Sequence, residues 1–291
     1  MNKEMTASQV VGELQDGMTI GIGGWGPRRK PMALVREIVR SDLKDLTVVA
    51  YGGADVGMLC AAGKVKKLVF AFVSLDFIPL EPYFRQARQA GDIDVMEIDE
   101  GMMLLGLRAA AWGCPFIPTE VGLGTDIVAK SAELKIVDSP YDDKEWVAMP
   151  ALNLDASLLH VDRADSRGVC QIQGPDHYMD DWFARAANKT YVSCDELVPT
   201  ETFHADAEAR LVHWERSQTT GVVPIAGGAH PTSCTPQYGF DVAHFKEYTG
   251  SVKEGGFAAY ADKYIHGKTE AEYQDLVGGL DAIRTLPIPT Y

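Results

Sequence analysis

The first half of the chain alternates short, β-rich apolar runs with segments of helical periodicity. The strand-like runs are MTIGI, LTVVAYG, LVFAFV and IDVMEI, and the helical patterns are PMALVREIVR, DVGMLCAAG, IPLEPYFRQARQAG and EGMMLLGLRAAAWG. Parallel strands need long crossover connections, which helices usually supply. We therefore predict an α/β fold, with an open, mostly parallel sheet and helices on both of its faces.

The second half continues the pattern and then becomes helical. Further short strands are predicted at EWVAMPAL, ASLLHVD, TYVSCDELV and VVPIA, with a helix at DHYMDDWFARAANK. Neither a linker-like stretch nor an internal repeat divides the chain. We expect one α/β domain over residues 1–240 and a helical C-terminal extension over residues 241–291 that packs on it.

Composition narrows the functional classes. The 291 residues are 46% hydrophobic and carry a formal net charge of −14, which argues against nucleic acid as a partner. The chain lacks a run of about 18 apolar residues and a signal-peptide pattern, so we expect a cytoplasmic protein with no membrane partner. Five scattered cysteines without C-x-x-C, and histidines without H-E-x-x-H spacing, predict no metal and no permanently bound cofactor.

A glycine loop follows the first predicted strand. Gly21, Gly23 and Gly26 match G-x-G-x-x-G, which in dinucleotide-binding units requires a helix directly after the loop and a carboxylate at the end of the second strand. Here residues 27–31 read PRRKP and delay the helix, and the second strand runs into residues 51–53, which read YGG. Nicotinamide binding is therefore disfavoured, and the absence of Gly-Lys-Ser/Thr excludes a Walker loop.

What remains is a strand, a glycine loop and a helix, with basic residues beside them. Backbone N–H groups at Gly23 and Gly24, with Arg28, Arg29 and Lys30 nearby, predict a site for an anion or a developing oxyanion. Trp25 at the loop tip would either cover an apolar ring or contact another subunit.

Three segments together resemble one family. The run DGMTIGIGGWGPRRKPMALV, residues 106–127 (GLRAAAWGCPFIPTEVGLGTDI) and residues 227–239 (GGAHPTSCTPQYG) resemble the α subunits of family I coenzyme A transferases of the glutaconate type. The Gly-Trp-Gly-x-Arg-Arg-Lys-Pro run and residues 99–101 (DEG) resemble more narrowly a hydrolase subset of this family, which opens a ring of a cyclic β-keto CoA thioester in steroid degradation.

The resemblance implies a partner and a catalytic carboxylate. It implies a β subunit of the same family, in an αβ or α₂β₂ complex, and coenzyme A as part of the substrate. It also implies that a carboxylate of the α subunit, here Glu100, activates water. Glu100 follows IDVMEI, at a strand end where open α/β sheets bind ligands. The alternative is that Glu100 is only an acidic residue in the first turn of a helix, where its charge stabilises the helix by about 0.3 to 1 kcal/mol.

Two further residues complete the candidate site. Arg108 lies eight residues after Glu100, one helical face around from it, and would serve as a carboxylate partner or as packing at the edge of the core. His230 would orient substrate or bond a backbone carbonyl. The expected function is a thioester ring-opening hydrolase, or C–C lyase; the alternatives are the α subunit of a true CoA transferase for a dicarboxylic acid such as glutaconate, and a non-catalytic anion-binding α/β protein.

Overall fold

The computed structural model describes residues 2–253 and 256–288. The strands are β1 (Thr19–Ile22), β2 (Leu46–Gly52), β3 (Val65–Val73), β4 (Asp94–Glu97), β5 (Phe116–Thr119), β6 (Lys135–Asp138), β7 (Glu145–Pro150), β8 (Leu154–Ala164), β9 (Cys170–Gln171), β10 (Ala187–Leu197) and β11 (Thr219–Pro224). The helices are α1 (Ala7–Gly12), α2 (Met32–Arg40), α3 (Ala54–Ala61), α4 (Pro82–Ala90), α5 (Glu100–Ala111), α6 (Asp126–Lys130), α7 (Asp180–Ala186), α8 (Asp206–Ala209), α9 (Val242–Gly250), α10 (Gly256–Tyr264), α11 (Glu270–Leu276) and α12 (Gly279–Arg284). A 3₁₀ turn spans Thr200–His204.

The main sheet is open and almost wholly parallel, as predicted. Its strand order is β11-β10-β8-β1-β2-β3-β4, and neighbours along this path run parallel. The short strand β9 pairs antiparallel with β8 off this path. Strand β1 is central, so the carboxyl ends of strands from both halves of the sheet meet around the loop that follows it. This edge is where an open α/β sheet binds its ligands.

A second, smaller sheet was not predicted. The strand expected at EWVAMPAL is confirmed as β7, but β7 pairs antiparallel with β5 and β6 rather than joining the main sheet. Its neighbours gave weak sequence signals, because β5 contains Pro118 and proline within a run argues against a strand. The apolar pattern therefore identified the strand without identifying its sheet.

Alternate residues of the central strands face two different cores. On β2, Val48 and Ala50 lie in a buried cluster that α2 to α4 share with the C-terminal helices. Val49 and Tyr51 face the opposite cluster, to which α5 and α7 contribute. Burial on both faces explains the continuous apolar reading of these strands, since helices cover the sheet on each side.

The C-terminal helices pack on the first of these cores. Phe245, Tyr248, Tyr260 and Tyr273 belong to the same buried cluster as Leu34 of α2. The predicted helical character after residue 241 is confirmed as α9 to α12, while residues 254–255 and 289–291 lie outside the described part of the chain. The division at residue 240 stays a prediction. Within the described ranges, no helix combines the length and apolarity that a bilayer crossing requires.

One buried charge ties this extension to the start of the domain. The Arg36 side chain on α2 is fully buried, donates through Nε to Glu270 Oε2 at 3.0 Å, and forms a second bond to Glu270 Oε1. Its guanidinium also stacks on Tyr273 at 3.7 Å and donates to the His230 carbonyl at 2.8 Å. A buried charge is tolerable only when it is paired in this way, so α2 and α11 depend on each other.

Candidate active site at the carboxyl edge of the main sheet

The backbone N–H groups of the glycine loop are already used within the protein. The Gly23 N–H donates to the Leu158 carbonyl at 3.0 Å, and the Gly24 N–H donates to Asp180 Oδ1 at 2.8 Å. An oxyanion hole needs donors that are free to meet the developing charge. The structure therefore corrects the expected oxyanion role of Gly23 and Gly24.

Glycine at position 24 is explained by the path of the loop instead. Gly24 has φ +73°, and a Cβ there would lie 2.5 Å from the carbonyl oxygens of both Arg28 and Arg29. At Gly23 a Cβ would lie 2.5 Å from Asp180 Oδ1. Both glycines allow the loop to fold tightly on itself and on Asp180, because no side chain fits there.

Two of the three basic residues are structural as well. Arg29 Nη1 pairs with Asp180 Oδ2 at 2.8 Å, and Lys30 Nζ pairs with Asp55 Oδ2 at 3.0 Å, with all of these side chains buried. Burial lowers the pKa of Lys30, and Asp55 opposes that shift. The anion-binding role expected for Arg29 and Lys30 is thus not supported, because each already has a buried carboxylate partner.

Arg28 and Trp25 face outward from the same loop. Arg28 pairs with Asp76 at 2.5 Å, and its guanidinium lies over the Trp25 ring at 5.0 Å. The Trp25 indole in turn makes an edge contact with Phe72 at 4.8 Å between ring centroids. The loop therefore presents an oriented aromatic ring and an oriented cation.

These side chains form one wall of a pocket of about 520 Å³. It is lined by Trp25, Arg28, Glu100, Leu104, Arg108, Asp176, His177, Tyr178, Met179 and Trp182. The structure thus brings together four predicted residues, namely Trp25, Arg28, Glu100 and Arg108. The lining does not include the other predicted residues, Gly23, Gly24, Arg29, Lys30 and His230. The prediction of site residues therefore narrows to those four.

Glu100 is held at the pocket by three neighbours. It is the first residue of α5, whose N-cap is Asp99, and the Asp99 side chain accepts from the Gly101 N–H at 2.7 Å. Tyr51 at the end of β2 donates its hydroxyl to the Glu100 carbonyl at 2.9 Å. Trp25 Nε1 donates to Glu100 Oε2 at 3.4 Å. Asp99 therefore serves as the helix cap, and the Glu100 carboxylate is available to the pocket.

The opposite wall was missed in the sequence. The helix predicted over residues 176–189 is confirmed as α7 (Asp180–Ala186), but its first turn is not helical, because Tyr178 and Met179 have φ of 48° and 61° and precede α7. Such conformations are uncommon for bulky residues and concentrate at functional sites. The aromatic residues of DHYMDDWFARAANK were the available signal, because large rings next to polar residues are typical of binding surfaces.

His230 lies in the interior. Its Nδ1 is 2.7 Å from the Tyr273 hydroxyl and its Nε2 is 3.2 Å from Asp241 Oδ2, and burial lowers its pKa. Neither of the two roles expected for this side chain describes these contacts. His230 instead links the loop of residues 227–239 to α11 and to Asp241, the N-cap of α9.

One buried cluster has the composition of a metal site but is already hydrogen-bonded. His160, Asp195 and Cys234 hold potential ligand atoms within 4.8 Å of one another. His160 Nδ1 lies 2.9 Å from Ser193 Oγ, and burial raises the pKa of the Cys234 thiol well above its usual range. A protonated thiol is a poor metal ligand. The expectation of no metal stays a prediction.

The parallel sheet, the glycine loop after its central strand and the pocket beside it match a known class of protein. The sequence model of the coenzyme A transferase family (Coenzyme A transferase) matches residues 3–210, and the chain belongs to this family. It is 45% identical over 284 residues to the cholesterol ring-cleaving hydrolase IpdA subunit of Rhodococcus jostii, covering 95% of this chain and 96% of that protein.

Two further comparisons agree with this assignment. The subunit of the same name from Mycobacterium tuberculosis (strain CDC 1551 / Oshkosh) is 42% identical over 291 residues, covering 97% of this chain and 99% of that protein. The crystal structure of glutaconate coenzyme A-transferase from Acidaminococcus fermentans superposes with a TM-score of 0.89 at 24% identity, covering 99% of this chain and 96% of that chain. The latter likeness concerns the fold.

Proposed function

We propose that this chain is the α-type subunit of a hydrolase of the coenzyme A transferase family that opens the ring of a cyclic β-keto CoA thioester. The observation that carries the chemical part is the Glu100 carboxylate, which faces the pocket beside Trp25. The near-full-length identity to subunits named as cholesterol ring-cleaving hydrolases supports a steroid-derived ring as the substrate.

In this mechanism Glu100 acts as the general base. It takes a proton from a water molecule, and the water oxygen forms a bond to the carbon of the ring ketone. The ring bond between that carbon and the carbon next to the thioester then breaks. Its electron pair passes to the thioester as an enolate, which is protonated to give an opened chain with a new carboxylate. One water molecule is consumed, and no oxidant or reductant is needed.

The pocket walls suit such a substrate. Trp25, Leu104, Met179 and Trp182 supply apolar surface for a hydrocarbon ring. The Trp25 indole N–H near Glu100 orients the carboxylate, and the Tyr51 hydroxyl fixes the first turn of α5. Because these two supports come from separate elements of the fold, the glycine loop and β2, a conservative change at Glu100 should leave the pocket intact.

The proposal includes a partner subunit. Similar proteins are named as subunits, which supports a β-type partner of the same family in an αβ or α₂β₂ complex. We expect the partner to cover the pocket around the thioester. Coenzyme A enters only as part of the substrate, and the reaction as written uses no permanently bound cofactor.

The test is Glu100→Gln in the complex co-expressed with the partner. A positioned general base typically contributes about 10² to 10⁴ in rate, so turnover of a cyclic β-keto CoA thioester should fall by that factor. The near-isosteric amide should leave thioester binding and the melting temperature almost unchanged. Ring opening can be followed by mass spectrometry of the acyl-CoA, and the assembly by size-exclusion chromatography.

Glu97→Gln is the matched control, since Glu97 lies at the end of β4 and pairs with Arg88 on the surface. It should retain wild-type turnover. Near-normal turnover in Glu100→Gln would refute Glu100 as the base. If the wild-type complex transferred CoA to a dicarboxylate and left the ring closed, the alternative transferase function would replace this one.

A further inference from the structure

We propose that His177 is a second catalytic residue of this site, which donates the proton that the enolate carbon receives after the ring bond breaks. The inference rests on the proposed function and deepens it, because that mechanism needs a proton donor and Glu100 serves as the base. Three observations carry it: the place of His177 in the pocket, a shielded carboxylate beside its ring, and a second histidine stacked on it.

His177 lies on the pocket wall opposite Glu100. It belongs to the segment that precedes α7, whereas Glu100 begins α5, and both side chains line the cavity of about 520 Å³. The His177 carbonyl accepts from the Asp180 N–H at 2.9 Å, which fixes its backbone at the entry to α7. The His177 side chain is 44% exposed, so a ligand in the pocket can reach its ring. A cavity of this volume holds one small molecule, and the two walls therefore face the same substrate.

A carboxylate is positioned to orient the His177 ring. His177 Nε2 lies 3.5 Å from Asp181 Oδ1, four residues further along the chain. That oxygen is shielded from solvent and has no hydrogen-bond partner among the residues that the structure describes. A shielded carboxylate oxygen without a donor is costly, and the N–H of a protonated His177 would supply one. Catalytic hydrogen bonds are often long in the free enzyme and shorten when substrate binds, so the pair has the arrangement of an acid and its orienting carboxylate.

A second histidine fixes the plane of this ring. The His213 ring stacks on the His177 ring, with 4.7 Å between centroids and 10° between planes. The His213 carbonyl accepts from Arg185 Nη2 at 3.2 Å, so this strip of chain is tied to α7 as well. Burial lowers the pKa of His213 and the adjacent His177 lowers it further, while Asp181 opposes both effects. Because charge on one ring disfavours charge on the other, the proton resides on His177, the ring beside the carboxylate.

The proton transfer completes the reaction without a further reagent. After Glu100 has taken a proton from water, the ring bond breaks to leave a carboxylic acid and the enolate. Both nitrogens of an imidazolium carry a proton, so Nε2–H stays with Asp181 and Nδ1–H is left for the substrate. The Nδ1–H bond of His177 breaks, and its proton forms a C–H bond with the enolate electron pair. The new carboxylic acid then returns a proton to His177, and Glu100 releases its own to solvent, so one water is consumed and one proton is released.

The test is chemical rescue in the complex co-expressed with the partner. The variants are His177→Gln, which keeps a polar side chain without a transferable proton, and His177→Gly, which leaves space for an added ring. His266→Gln is the matched control, because His266 pairs with Asp262 at 2.9 Å, also four residues away, on the surface and outside the pocket lining. Turnover of a cyclic β-keto CoA thioester is measured alone, with imidazole, and with 1,3-dimethylimidazolium, which has a similar ring and a charge but no N–H.

His177→Gln and His177→Gly should lower kcat by about 10²- to 10⁴-fold, the usual contribution of a positioned acid or base. The Kd of the thioester should change by less than about twofold, because the lost interaction is made only in the transition state. Imidazole should restore the turnover of His177→Gly by at least about tenfold, since it supplies the missing donor, and 1,3-dimethylimidazolium should not. His266→Gln should match wild type.

Wild-type turnover in His177→Gln would overturn the proposal and leave Glu100 to return its own proton to the enolate. A loss that imidazole does not relieve, or that 1,3-dimethylimidazolium relieves equally, would overturn it too, because His177 would then only shape the pocket wall. If His177→Gly did not assemble, His177→Gln would decide, since a loss of thioester affinity equal to the loss of kcat contradicts a proton-transfer role. A wild-type complex that left the ring closed would refute the proposed function and this proposal together, whereas unimpaired His177 variants of an active complex would refute this proposal alone.

Discussion

Gly24 allows a quantitative test of how the glycine loop is built. Replacement by alanine imposes two separate penalties. The first is the left-handed backbone, which costs an L-residue about 1 to 2 kcal/mol. The second is steric, because the new Cβ would lie 2.5 Å from the carbonyl oxygens of Arg28 and Arg29. Relieving such crowding costs about 1 to 3 kcal/mol.

Substitutions at two other glycines separate the backbone penalty from the steric penalty. Gly91, the C-cap of α4, has φ +77°, close to the +73° of Gly24, but a Cβ there would meet nothing within 4 Å. Gly12, at the end of α1, has equally open space and no positive φ. We expect Gly12→Ala to be within about 0.5 kcal/mol of wild type or more stable, Gly91→Ala to cost about 1 to 2 kcal/mol, and Gly24→Ala to cost about 2 to 5 kcal/mol.

The assay is chemical denaturation followed by tryptophan fluorescence, with the variants held in the same state of assembly. Thioester turnover of the complex should fall for Gly24→Ala as well, because Trp25 and Arg28 line the pocket and belong to the loop that the new methyl group displaces. The reasoning fails if Gly24→Ala and Gly91→Ala differ by less than about 0.5 kcal/mol, the usual error of additivity between distant sites. In that case the loop accommodates a methyl group and only its backbone conformation requires glycine.

Two further predictions follow from buried carboxylates. Asp180→Asn should lower the free energy of unfolding by about 3 to 5 kcal/mol in the same denaturation assay, because it leaves the buried Arg29 charge without its carboxylate partner. Asp126→Asn, which removes the carboxylate of an exposed ion pair, is the control and should change it by less than about 1 kcal/mol. Burial raises the pKa of Glu81 to about 7 from its usual 4.5, so its contribution to stability is complete below about pH 4.5 and is lost as the pH rises through 7. Between pH 4.5 and 8, the free energy of unfolding of Glu81→Gln should therefore rise by up to about 3 kcal/mol relative to that of wild type. A difference between the two proteins that does not change with pH would contradict the raised pKa of Glu81.

The sequence predicts the part of the fold in which strands and helices alternate regularly. The alternation of apolar runs with helical patterns predicted β1 to β4 and α2 to α5, and β1 to β3 gave continuous apolar runs because they are covered on both faces. Glu100 was identified through the family resemblance, and its position after a strand that ends at the ligand-binding edge is compatible with that role. Short antiparallel strands such as β5 lack a continuous apolar run, so the small sheet was not predicted.

The unpredictable part of the site depends on long-range partners. In sequence, Arg28, Arg29 and Lys30 form one basic run, and their spacing does not reveal that Asp180 and Asp55 neutralise two of them. Nor does the sequence reveal that a carboxylate 156 residues away takes the Gly24 N–H. Such pairings are set by the assembled sheet, so a local motif cannot distinguish a free anion site from an occupied one.

The contact between Arg36 and Glu270 bears on when this chain can fold. The two residues are 234 positions apart, and Arg36 is completely buried once they meet. At a translation rate of about 5 to 20 residues per second, roughly 12 to 47 s separate the synthesis of the two. During that interval α2 cannot seat its arginine against the sheet without leaving a charge uncompensated. Most of the sheet therefore leaves the ribosome before α2 can dock on it, and the amino-terminal half should remain accessible to chaperones until the carboxyl-terminal helices emerge.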